Sequence, residues 1–185
     1  YHVTVTVTDD TGAFDQRSFD ITVHNVAPTL TIAGPATVVE GDTYALTLSA
    51  SDPGQDTISS WEINWGDGPP ETLQGNPSSA THVYADGPNA YTISATATDE
   101  DGTHTASNTR NVTVNNVAPT VSLSAGNDLS VNEGTNHTYS FSVSDPGVDT
   151  FSVVSVSCGA NGSQVGTTTT NAGGGSFLCS FPDGP

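Results

Sequence analysis

The sequence predicts an all-β chain of antiparallel β-sandwiches in tandem, with a repeat period of about 90 residues. Three observations carry that expectation. Apolar and polar residues alternate with a period of two along run after run, which is the mark of a strand with one dry and one wet face. Clusters of glycine, proline and aspartate bound those runs. The later part of the chain also repeats the earlier part.

The elements follow in order. Tyr1, Val3, Val5 and Val7 share one face of an opening strand, with His2, Thr4, Thr6 and Thr8 on the other. Asp9–Gly12 is a hairpin turn, and Phe19, Ile21 and Val23 mark the returning strand. Asn25-Val-Ala-Pro-Thr29 is a proline-bearing joint. Further on, Trp61, Ile63 and Trp65 alternate with Ser60, Glu62 and Asn64 before Gly66-Asp67-Gly68 breaks the strand. Tyr91–Thr98, a turn at Asp99–Gly102, and then Val112 and Val114 repeat the opening hairpin, and Asn116-Val-Ala-Pro-Thr120 repeats the joint. Beyond it, Glu133-Gly134 matches Glu40-Gly41, and SDPGVDT from Ser144 matches SDPGQDT from Ser51.

This periodicity divides the chain. Residues 26–115 read as one complete sandwich, 1–25 as the last two strands of a preceding one, and 116–185 as a sandwich lacking its last two strands. Phe181–Pro185 matches Tyr84–Pro88, the point just before a Tyr1-like strand begins. A sandwich without two strands exposes edges and half its core. Two readings follow: head-to-tail complementation, residues 1–24 of one copy completing 117–185 of another, or a window on a continuous array of repeats.

Composition narrows the function. The chain has 185 residues, 34% hydrophobic and 12% charged, with a net charge of -18; its only cationic side chains besides histidine are Arg17 and Arg110. Such acidity repels phosphates and anionic headgroups, which argues against nucleic-acid and membrane-surface partners and favours divalent cations or a salty medium. Low hydrophobicity with high charge also fits disorder, but the regular alternation opposes it. No apolar run approaches the ~18 residues of a membrane span.

WEINWGDG (Trp61–Gly68), His82-Val-Tyr-Ala-Asp-Gly87 and the Tyr91–Gly102 hairpin, in that order, resemble the PKD (polycystic kidney disease) domain family. The resemblance covers 26–115 well, 1–25 as a tail and 117–185 less well. It implies Ig-like sandwiches in extracellular or cell-surface proteins, serving as spacer, adhesion or accessory binding modules that sometimes hold calcium.

The last repeat departs from the pattern. Cys158 and Cys179 stand where its sister has Trp65 and His82. Those two rings are expected to face each other across adjacent strands, so the cysteines that replace them are expected to form a disulfide. Closing a loop of about 20 residues, the bond is worth roughly 3 kcal/mol and implies an oxidising compartment. The other reading is two buried thiols.

In a Greek-key sandwich the loops Asp52–Asp56 and Asp99–Asp101 share a pole with the entering joint at Asn25. These oxygen-bearing side chains suit calcium, which takes 6–8 oxygens. Asn116, Asp145 and Asp149 repeat the set, with Asp9 as fourth member if the missing strands are supplied in trans. By parity Asp99 points inward, where an unpaired carboxylate is costly. Asp-Pro-Gly and Asp-x-x-Gly are equally turn sequences whose carboxylates cap backbone amides, and both readings stand.

Catalysis is not indicated. The five histidines are scattered, and no metalloprotease, nucleophile-elbow, CxxC or phosphate-loop motif occurs. The expected function is therefore structural: extracellular repeats that space or assemble a surface or fibre, pairing with copies of themselves and clamped at their joints by calcium. The alternative is an accessory module that binds polysaccharide or protein through an exposed Trp61 or Trp65.

Overall fold

The structure is a computed structural model that describes residues 1–183; Gly184 and Pro185, the end of the expected Phe181–Pro185 correspondence, lie outside the described residues. Among the described residues every regular element is a strand: β1 (His2–Thr8), β2 (Phe14–Asp20), β3 (Thr29–Ala33), β4 (Thr37–Val39), β5 (Thr43–Ser51), β6 (Ser60–Asn64), β7 (Glu71–Gln74) and β8 (Ser79–Val83) come first. They are followed by β9 (Asn89–Thr98), β10 (Thr103–Thr105), β11 (Arg110–Asn115), β12 (Thr120–Leu123), β13 (Thr135–Ser144), β14 (Ser163–Asn171) and β15 (Gly174–Phe181).

The middle of the chain is a sandwich of two sheets. One has the order β3-β5-β8; the other has the order β4-β11-β9-β6-β7, with β10 also paired to β9. Both owe their cohesion to the alternation. Leu30 and Ile32 on β3, Tyr44, Leu46 and Leu48 on β5, and Ala80 on β8 face inward from the first sheet. Trp61, Ile63, Ile93, Ala95, Ala97, Val112 and Val114 face inward from the second. All belong to one cluster with Trp65 and Tyr84, so the two sheets bury each other's dry face.

The aromatic centre differs from the expectation in one respect. Trp65 and His82 do stack, with ring centroids 4.8 Å apart and an interplanar angle of 10°. They do so between sheets rather than across adjacent strands, because Trp65 follows β6 while His82 lies on β8, which pairs with β5. Asp67 accepts His82 Nε2 at 2.7 Å, so the Gly-Asp-Gly turn also fixes this ring. Both indoles are buried with their N–H groups satisfied, Trp61 by Asn76 Oδ1 at 3.0 Å and Trp65 by Glu71 Oε2 at 2.9 Å.

The last third begins the same way. β12 pairs with β13 (Thr120↔Ser144) as β3 pairs with β5 (Thr29↔Ser51), and β13 pairs with β15 (Asn136↔Ser180) as β5 pairs with β8 (Thr43↔Val83). The order is β12-β13-β15-β14, with β14 extending the edge. Residues 150–159, which hold the place of β6, form no strand. In the complete sandwich β6 pairs with β9 and β7, and a strand without a ladder partner has no backbone bonds to fix it. An open apolar groove of about 470 Å³ remains, lined by Val121, Leu123, Phe141, Val143, Phe151 and Phe177 among others.

The opening hairpin is the reverse case. β1 and β2 form a sheet of their own, and the return strand spans Phe14–Asp20, so Ile21 and Val23 fall beyond it; Ile21 N donates to Tyr1 O and Tyr1 N to Ile21 O, each at 2.7 Å. Its dry face is uncovered: Val5, Val7 and Val23 are 59%, 68% and 68% exposed. Their counterparts Ala95, Ala97 and Val114 are at most 3% exposed.

Cys158 and Cys179 form the expected disulfide, with Cα atoms 5.8 Å apart and a sequence separation of 21. It ties the strandless segment to β15, where Cys179 is buried. Replacing both cysteines by serine is expected to cost about 3 kcal/mol in the last third. Both tryptophans lie in the middle sandwich, so their fluorescence transition in denaturant should not move while a far-UV transition shifts to lower denaturant.

Candidate acidic joint sites

Two loops that differ only at Gln55 and Val148 leave β5 and β13, and both are turns built by their first aspartate. Asp52 Oδ1 accepts Gly54 N at 2.5 Å, and Asp145 Oδ1 accepts Gly147 N at 2.9 Å. The other oxygen of each, Asp52 Oδ2 and Asp145 Oδ2, is buried without a hydrogen-bond partner, as is Asp56 Oδ2. Buried polar atoms are nearly always paired. Carboxylate oxygens left over from turn capping are a donor set of the kind a hard cation takes.

At the first loop the charges of Asp52, Asp99, Glu100 and Asp101 act on Asp56. Glu100 reaches from the β9–β10 turn to accept Thr57 N at 2.8 Å and Thr57 Oγ1 at 3.0 Å, which holds the two loops together. Burial pushes the Asp56 carboxyl above its ordinary value, and the charges of Asp52, Asp101, Glu100 and Asp99 add to the rise. Asp99 is buried but engaged. Its Oδ1 accepts Asp101 N at 2.9 Å and Gly102 N at 3.0 Å, and His104 Nε2 lies 2.9 Å from its Oδ2, off the axis of a good hydrogen bond. Burial raises its carboxyl, but those amides and the facing His104 outweigh burial and hold it below the ordinary range. Asn25 and Asp101 are exposed. Asp9 repeats the Asp99 turn: Thr11 Oγ1, Ala13 N and Thr11 N donate to it, and its carboxyl is held low.

The second joint brings in residues the motif search missed. Glu40, fully buried, reaches across it: Oε2 accepts Gly87 N at 2.7 Å and Oε1 accepts Val117 N at 2.7 Å. Val148 N donates to Ala85 O at 3.0 Å. Gly147 lies so close to the Glu40 carboxylate that an added Cβ would sit 2.5 Å from its Cδ, and Gly41, at φ +76°, lies against Pro146 in the same way. Carboxylate oxygens of Glu40, Asp86 and Asp149 fall within 4.8 Å of one another.

Asn116 completes the group. Its amide N donates to Gly87 O at 3.0 Å and Asp149 Oδ2 at 2.9 Å, and its Oδ1 accepts Val117 N at 3.3 Å. Burial pushes Asp149 above its ordinary value, and Glu40, Asp145 and Asp86 add to the rise. Asn116, Asp145 and Asp149 are thus brought together, while Glu40 and Asp86 come from the unit before. A signal for them existed in the Glu-Gly and Asp-Gly pairs that recur at Glu133-Gly134 and Asp183.

The PKD domain family model matches residues 25–114. Among solved structures, the PKD domain of an M14-like peptidase from Thermoplasmatales archaeon SCGC AB-540-F20 is 28% identical, covering 50% of this chain and 99% of that one, with a TM-score of 0.41. The N-terminal eight Ig domains of Down Syndrome Cell Adhesion Molecule (isoform 1.30.30) align at 12% identity, covering 98% of this chain and 26% of that one, with a TM-score of 0.39. No curated protein matches.

A carboxyl whose value is raised by folding keeps its proton longer in the folded chain, so stability falls as pH rises through the interval from its ordinary value to the raised one. Asp149 is such a group. In chelator, Asp149→Asn should therefore raise the melting midpoint at pH 7, and the gain should vanish as the pH drops below the ordinary aspartate value. Thermal melts of both proteins across that range check it; a lower midpoint for the variant at pH 7 would contradict it.

Proposed function

We propose that the chain, whose residues 25–114 match the PKD domain family model, is a non-enzymatic extracellular repeat that spaces or assembles a surface or fibre architecture. PKD domains are typically accessory modules of surface proteins or secreted enzymes, and the disulfide suits an oxidising exterior. The observation that carries the reading is the Glu40 bridge. A spacer needs successive units held at a set angle, and one buried carboxylate bonded to Gly87 N and Val117 N does that. Burial of Trp61 and Trp65 leaves neither indole for a polysaccharide to stack on, which favours the spacer over the accessory-binding alternative.

Calcium fits the joints. Glu40, Asp86, Asp149, Asn116 and Gly87 O would hold it at the second joint, with Asp145 Oδ2 close by; Asn25, Asp52 and Asp56 are the matching half at the first. When bound, the cation would supply the positive charge that these crowded carboxylates lack. Strand complementation between copies has its own support, since the exposed face of β1–β2 matches in sequence the strands that cover the equivalent groove in the complete sandwich.

Two measurements test this. Glu40→Ala orphans two amides at about 1–3 kcal/mol each and should broaden the distribution of interdomain distances seen by small-angle scattering. An unchanged profile and melt would remove the spacer argument. Calcium at 100 times its dissociation constant should stabilise by roughly 2.7 kcal/mol, and Val5→Asp should reduce the assembly mass seen by light scattering. A melt indifferent to millimolar calcium refutes the clamp; a monomeric parent refutes complementation.

A further inference from the structure

The turn from Gly159 to Gly162 leads the chain from the disulfide into β14, and it holds the one Asn-Gly step in the sequence, Asn161-Gly162. Gly159 takes a φ of +89°, and Gly162 N donates to Gly159 O at 3.3 Å, longer than an amide hydrogen bond usually runs. Packing fixes the second glycine. A Cβ added at Gly162 would collide with Cys158 O and stand 2.8 Å from Cys158 Cβ, so no other residue lets the chain fold back over the disulfide.

Asn161 itself is exposed, and its side chain makes no hydrogen bond among the described residues. Asparagines at other turns and strand ends are held. Asn64 Oδ1 accepts Gly66 N at 3.0 Å, Asn127 Oδ1 accepts Ser140 N at 2.8 Å and Asn171 Oδ1 accepts Gly173 N at 2.9 Å. Each of these is followed by a residue with a side chain, Trp65, Asp128 or Ala172, which crowds the next main-chain nitrogen. After Asn161 that nitrogen belongs to a glycine, and one long hydrogen bond restrains it.

We propose that Asn161 is a site of spontaneous deamidation, where the Gly162 nitrogen displaces the side-chain ammonia and leaves aspartate or isoaspartate between the disulfide and β14. The step is intramolecular, with nucleophile and carbon in adjacent residues. Gly162 N gives up its proton and bonds to Asn161 Cγ. The Cγ–Nδ2 bond breaks, and ammonia departs with that proton to leave a cyclic imide. Water then opens the ring. Addition at Cγ restores the main chain as aspartate, and addition at the Asn161 carbonyl carbon routes the main chain through Cγ as isoaspartate. Each product adds a carboxylate to a chain already at -18. Isoaspartate also adds one carbon to the main chain, where there is little slack. Ser163 pairs with Ser180 and Gln164 with Cys179, the partner of Cys158, so ladder and disulfide close a ring around the turn.

The full-length protein is aged in mildly alkaline buffer, folded in one sample and in denaturant in another, and then peptide-mapped by mass spectrometry. In the folded sample the Asn161 peptide is expected to lose its amide several-fold faster than any other asparagine. It should split into aspartate and isoaspartate forms and react faster as pH rises. Loss in denaturant with Asn161 of the folded chain intact would overturn the proposal, since the turn would then protect the residue. Asn161→Gln should abolish the product, and a peptide that still gains the acid would place the reaction elsewhere and overturn it as well. The effect on the fold is read separately. Aged protein should show its far-UV unfolding transition at lower denaturant with tryptophan fluorescence unmoved. Freshly made Asn161→Asp, which adds the charge without the carbon, should unfold like fresh protein. An aged sample indistinguishable from Asn161→Asp would overturn the claim that the ring has no slack.

Discussion

A β-sheet with one apolar face is stable only when a second sheet covers it, and this requirement orders the whole molecule. Where it is met, between β3-β5-β8 and β4-β11-β9-β6-β7, alternation turns into burial and two tryptophans disappear into the core. Where it is not met, the consequences are local and legible. The β1–β2 hairpin keeps its valines in solvent, and the residues in the place of β6 after β13 form no strand. The disulfide then performs covalently what the Trp65–His82 stack performs by contact, joining the same two places in the unit.

The joint obeys a different constraint. Val117 and Gly87 present amide donors where the chain passes from one unit to the next, and buried donors must be satisfied. Glu40 meets both from a single carboxylate. The result gathers acidic groups: once Glu40 is placed there, Asp86 and Asp149 follow from the turns on either side, and their mutual repulsion is the electrostatic cost of a bridge that sets direction.

The Asp99 turn shows how the same residue type serves a different end. Its carboxylate faces inward, as parity required, yet two amides and His104 occupy it, so it behaves as a structural cap with a lowered proton affinity. Asp56, a loop away, has no such donors on its buried oxygen and moves the other way. Hydrogen-bond supply at Asp99, set against burial and neighbouring acids at Asp56, separates the two.

The inward face of each strand in the middle sandwich and the partnership of Cys158 with Cys179 were readable from the sequence, because the first depends on local periodicity and the second on correspondence with Trp65 and His82. The convergence of Asn116, Asp145 and Asp149 was readable for the same reason. Glu40 was not. Glu-Gly at the end of a short strand reads as an ordinary turn, and only the approach of Val117 and Gly147 from the next unit makes that carboxylate a bridge. Likewise, Trp65 and His82 could be paired from sequence, but whether they met within a sheet or between sheets was decided by packing. Alternation states which face of a strand is dry; it does not state which strand lies opposite, and that is settled only when the sheets close over one another.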